Sequence, residues 1–141
     1  MDVEVLKQLV DYGVIALLGF MSFLSLWFFI ERVFFYRKIK VLEYKNKKAL
    51  EIALTRHLTI IGTIASNSPY IGLLGTVMAI MLTFMTMSVG QIEAGQIMSS
   101  LALALKATAV GLVVAIISQI FYNILGRYAE VLESDYEAQE I

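Results

Sequence analysis

The chain has 141 residues, 59% of them hydrophobic and only 16% charged, well below the roughly 25% charge of a globular domain, which points to a membrane protein. With no Cys, disulfide scaffolds, Cys-ligated zinc and thiol catalysis are excluded. A net charge of −1 gives no basic character for binding nucleic acid.

In chain order, the first element is the uncharged run 12–30, rich in Leu, Phe and Ile. About 20 such residues cross the roughly 30 Å hydrocarbon core as a helix. From Glu31 to His57 there is no Pro or Gly, and the apolar positions suit helices extending the first two spans. Residues 31–66 are therefore expected to form a cytoplasmic helical hairpin that turns near Lys45 to Lys48, with a second arm from about Ala49 to Ser66. Leu58 to Gln91 is uncharged over thirty-four residues, too long for one span. Pro69 divides it, since proline fits the first turn of a helix or a kink, and the second span is expected at 69–89. After a short turn, Gly90 to Gln96, the third span covers 97–125, interrupted once, by Lys106. Residues 126–141 form a tail. The fold class is thus all-α: an integral membrane protein with three transmembrane helices and long helical extensions into the cytoplasm.

Eight of the eleven basic residues lie between Arg32 and Arg56, and the positive-inside rule puts that segment in the cytoplasm. The N-terminus is then outside and the tail inside. An acidic segment precedes the first span where a cleaved signal peptide would need a basic one, so this span is expected to be retained. No Asp or Glu falls within the expected spans, and a carboxylate at membrane depth is expected to come from another protein.

The second span places Gly72, Thr76, Ala79, Thr83, Thr86 and Gly90 three or four apart, on one helical face; the third does the same with Ala104, Thr108, Gly111, Ala115, Ser118 and Tyr122. Such stripes serve either as packing seams, because small residues let membrane helices approach, or as the lining of a conduit. Three helices enclose no pore, so a conduit requires an oligomer. Lys106 lies nine residues into its span, about 13 Å deep. It either reaches back to the outer interface or faces the interior of an assembly and meets an acidic group there. His57, beside Arg56, fits a solvated polar residue. No nucleophile elbow, P-loop or metal-ligand signature occurs, so neither enzyme, cofactor nor metal is expected.

The run Ser68-Pro69-Tyr70-Ile71-Gly72-Leu73-Leu74-Gly75-Thr76-Val77, followed by Ala104-Leu105-Lys106-Ala107-Thr108-Ala109-Val110-Gly111-Leu112 and then Tyr122-Asn123, resembles the MotA/TolQ/ExbB proton-channel family, its ExbB branch most closely. The resemblance implies a homopentamer with a central pore in the bacterial inner membrane, surrounded by lipid and holding two copies of an ExbD-like protein that supplies an essential membrane Asp. It implies transfer of proton-gradient energy to a TonB-like protein for transport across the outer membrane. By resemblance, Thr76 and Thr108 line the pore near the partner's Asp. Thr83, Thr86 and Ser118 continue that proton path on the same stripes, and Pro69, Gly72, Gly75, Gly111, Tyr122 and Asn123 are motif and packing positions. Two departures stand out. Leu103 occupies a position that is usually glutamate, and Lys106, one turn later, becomes a candidate contact for the partner's Asp. The segments outside the spans are also short. Related alternatives are a TolQ-like subunit of the Tol-Pal system or a flagellar-type stator subunit. A passive membrane scaffold is the alternative of a different class.

Overall fold

A computed structural model describes residues 3–89 and 93–140 of the chain. Among them the regular structure is entirely helical: α1 (Val3–Lys38), α2 (Lys47–Leu54), α3 (Leu58–Val89) and α4 (Ala94–Glu140), with a 3-10 turn at Val41–Glu43. α1, α3 and α4 are long and apolar enough to cross a membrane, as the three uncharged runs predict. At 1.5 Å per residue, the 47 residues of α4 extend about 70 Å, more than twice the hydrocarbon thickness.

Two local features differ from expectation. Residues 31–66 do not form two continuous arms. α1 continues to Lys38, the chain turns over 39–46, and Asn46 starts α2 by accepting a hydrogen bond from the Ala49 amide at 2.8 Å. The second arm is then interrupted between Leu54 and Leu58, where His57 adopts a left-handed φ of 69°, a conformation that ends helices. Packing holds it there, because the His57 ring stacks on Phe28 with centroids 4.6 Å apart. Pro69 lies inside α3, which continues on both sides of it. The three residues before the proline bond back onto the preceding turn: Ser66 to the Gly62 carbonyl at 2.9 Å, Asn67 to Thr63 at 2.8 Å and Ser68 to Ile64 at 2.5 Å. Gly90 and the start of its expected turn lie outside the described residues.

The register of the helices differs from the hydropathy pattern as well. Val14 packs where Gly75 meets Ala107, Phe29 stacks on Phe121 at 4.2 Å, and the Tyr36 ring lies 5.1 Å from Tyr128. Each α1 residue therefore sits beside the α4 residue 92 or 93 positions later. α3 runs antiparallel to both, with His57 at Phe28 and Gly75 at Val14. The intervals 12–30, 69–89 and 97–125 consequently do not lie side by side. The run 12–30 is level with about 104–122 of α4, and the last turn of α3 and the first turn of α4 stand level with the charged start of α1. Close contacts at Gly75 and ring contacts between α1 and α4 set this register, and hydropathy alone carries no information about them.

Two apolar clusters hold the bundle. Leu18, Ile64 and Val114 form one between α1, α3 and α4. At the far end Tyr36, Leu50, Leu54, Leu58, Ile61, Leu125, Ala129 and Tyr136 draw all four helices together.

Candidate functional site

The two glycine-bearing stripes meet along the α3–α4 seam. A methyl group added at Gly72 would lie 2.5 Å from the Ala107 carbonyl oxygen, and one at Gly111 would lie 2.6 Å from that of Ser68. Only glycine lets the backbones approach so closely. The approach brings the Thr76 hydroxyl to 2.7 Å from the Ala104 carbonyl and 2.5 Å from the Thr108 hydroxyl. A carbonyl only accepts, so Thr76 donates its one proton to Ala104 and accepts from Thr108. The result is a directed pair of hydroxyls crossing from one helix to the other. The Gly72 carbonyl, 3.3 Å from Thr76 and 3.5 Å from Thr108, offers both a second acceptor. Thr76 is 5% exposed, whereas Thr108 is half-buried and so forms the open end of the pair.

The other expected site residues are distributed around this pair. Gly75 is buried against Val14 and Ala107. Thr83 is buried and bonds the Ala79 carbonyl of its own helix at 2.9 Å; Thr86 is half-buried and bonds Leu82 at 2.8 Å. Ser118 is buried and Pro69 half-buried. Tyr122 is exposed with its ring against Gly62, and the exposed Asn123 accepts from Gln119 at 3.1 Å. A polar groove of about 350 Å³ runs past Thr59, Thr63, Ser66, Asn67, Gln119 and Tyr122, its α3 residues at exposed positions away from the buried stripe. Lys106 and Leu103 are exposed. Two helical residues subtend about 200°, so Lys106 lies on a different face of α4 from Thr108. Among the described residues no cluster of three His, Asp or Glu side chains is arranged for a metal.

Sequence reasoning missed a corner that holds the helices in place. Phe28, Arg32 and Tyr36 follow one another at intervals of four along one face of α1. Phe28 stacks on His57, the Arg32 guanidinium donates to the Ala53 carbonyl at 2.8 Å, and the Tyr36 hydroxyl donates to the Leu54 carbonyl. α1 thereby satisfies the carbonyls that the short α2 leaves open. Arg32, one of the eight basic residues between the first two spans, is 2% exposed. It is also hydrogen-bonded to Glu31 at 2.6 Å and lies 4.1 Å from the centre of the Phe35 ring. The guanidinium bond holds the Glu31 carboxyl below its usual range, and burial pushes the Tyr36 phenol up to about 12. The i, i+4, i+8 spacing of an aromatic, an arginine and a tyrosine was the available signal.

The described chain is similar to known proteins over nearly its whole length. Biopolymer transport protein ExbB of Helicobacter pylori is 52% identical over 136 residues, covering 96% of this chain and 94% of that protein. ExbB of Aquifex aeolicus is 51% identical over 136 residues, covering 96% and 92%. The Tol-Pal system protein TolQ of Haemophilus influenzae is 38% identical over 97 residues, covering 63% of this chain and 42% of that longer protein. Residues 27–138, which include the seam, the hydroxyl pair and the corner, match the model of the MotA/TolQ/ExbB proton channel family, and the chain belongs to that family.

Proposed function

We propose that the chain is the energiser subunit of a TonB system: a homopentamer in the bacterial inner membrane that encloses two copies of an ExbD-like protein and passes the energy of the proton gradient to a TonB-like protein. Its N-terminus faces the periplasm and its tail the cytoplasm, following the basic segment between α1 and α3. The near full-length identity to ExbB proteins carries this reading. The hydroxyl pair supports it with a chemical rationale, because two threonines in a seam of small residues can pass a proton between neighbouring oxygens. Thr83, Thr86 and Ser118 belong to the same path as polar positions on the two stripes. Lys106, on another face of α4, is the candidate contact for the partner's Asp.

Thr108→Val removes the open hydroxyl at nearly constant volume. TonB-dependent uptake is expected to be lost while the complex with the partner still assembles, and full uptake by this variant refutes the proton path. Lys106→Leu is expected to weaken co-purification of the partner; unchanged recovery and uptake assign Lys106 to the interface instead. The match to TolQ sustains a second reading, service in envelope constriction. Deletion separates the two, with failed iron uptake marking the first and defective septation the second. A complex that conducts no protons in liposomes would be a passive scaffold.

A further inference from the structure

The register of α1 has a chemical consequence. Lys7, Gln8 and Asp11 on α1 line a cavity of about 230 Å³ bounded by Ala79 of α3 and by Ser100, Leu103 and Ala104 of α4. Glu4 stands at the outer rim, and α3 and α4 bring no charged side chain to the wall among the described residues. Ala79 is ten residues inside the end of α3 and Ala104 seven inside the start of the uncharged run at Ile97. The inner wall therefore lies about 10–15 Å within the apolar part of the bundle. Carboxylates at such depth are costly and face a bundle interior or a water-filled cavity. A volume of this size holds several waters. The inner wall adjoins the hydroxyl pair, because Ala104, which lines it, carries the carbonyl that accepts from Thr76 at 2.7 Å.

We propose that this cavity is a water-filled inlet that carries protons from the outer side to the level of the hydroxyl pair, with Asp11 as the group that takes them up at its inner end. The proposal rests on the proton-driven function above. Asp11 is the innermost polar residue of the α1 wall and, like Lys7 one turn further out, is half-buried, whereas Glu4 and Gln8 are exposed. The next nineteen residues of α1 carry no charge. None of the ion pairs among the described residues engages Glu4, Lys7 or Asp11, which leaves the carboxylate free to react. A hydronium ion in the inlet gives its proton to an Asp11 carboxylate oxygen and remains as water. The acid then gives the proton to a water at the inner wall, and the carboxylate is restored.

The absence of Cys makes a direct test available. Ser100→Cys, and Met81→Cys as an exposed control on the apolar face of α3, are treated in spheroplasts with a charged, membrane-impermeant methanethiosulfonate, which reacts with the thiolate and therefore requires water. The Ser100→Cys thiol is expected to react at least about tenfold faster than the control. In liposomes holding the complex with its partner, Asp11→Asn is expected to lower proton flux about tenfold or more, and Asp11→Glu to restore most of it. Equal labelling rates overturn the inlet, as does wild-type flux in Asp11→Asn. Absence of flux from the wild-type complex instead refutes the energiser function, and labelling of Ser100→Cys still reports whether water enters the cavity.

Discussion

Replacing Gly111 by alanine tests the seam directly. The added methyl would lie 2.6 Å from the Ser68 carbonyl oxygen and 3.1 Å from the Gly72 Cα, where ordinary contact begins near 3.4 Å. Both neighbours are backbone, so no side chain can swing aside, and α3 and α4 have to part by about 0.8 Å. The same separation carried to Thr76 stretches its 2.7 Å bond to Ala104 to about 3.5 Å, the limit of a hydrogen bond. Overpacking of this kind costs about 1–3 kcal/mol, and each interhelical bond lost adds about 0.6 kcal/mol. The expected destabilisation is therefore roughly 2–4 kcal/mol, measured by reversible unfolding of the detergent-solubilised chain. Gly126→Ala serves as the control, because a methyl there meets nothing within 4 Å and alanine favours the helix by up to about 1 kcal/mol. If Gly111→Ala unfolds within about 0.5 kcal/mol of the wild type, the range of an ordinary surface change, the close-approach argument is wrong.

The remaining predictions concern the corner. Burial raises the Tyr36 phenol from 10.0 to about 12, so its contribution to stability is complete below pH 10 and is lost as pH rises from there to about 12. Across that window the wild-type unfolding midpoint should fall more steeply than that of Tyr36→Phe; parallel curves contradict the assignment. At His57, alanine keeps the left-handed backbone and loses the stack on Phe28, whereas glycine relieves the backbone. His57→Gly should therefore exceed His57→Ala in stability by about 1–2 kcal/mol. Equal stability of the two would show that the left-handed conformation carries no strain.

The three long helices are legible in the sequence because their signal is a run of nineteen or more residues with at most one charge, a local property. The stripe of Thr76 and the stripe of Thr108 are legible for the same reason, since helical spacing alone puts each set on one face. What spacing does not contain is which turn of one helix meets which turn of another. That depends on where the methyl-free positions Gly72 and Gly111 lock, and it decides that Thr76 bonds across the seam while Thr83 and Thr86, on the same stripe, bond within their own helix. Asp11 shows the same limit. In sequence it precedes an apolar run and reads as lying outside the membrane, yet packing puts it beside Ala79 and Ala104. The burial of Arg32 is not legible in composition, because a cation among seven others gives no hint that it alone folds inward.

The unbroken course of α4 has a mechanical consequence. Thr108 and Tyr136 belong to one helix, separated by twenty-eight residues or about 42 Å. Tilting that rod by about 5° at the level of the hydroxyl pair displaces its far end by about 4 Å, by the length that 1.5 Å per residue sets. Tyr136 is packed with Tyr36, Leu50 and Leu54, and Lys47 of α2 is ion-paired with Glu137, so the short helix and the end of α1 travel with it. A displacement too small to break the seam is thereby amplified into one large enough to be sensed by whatever touches the opposite end of the bundle.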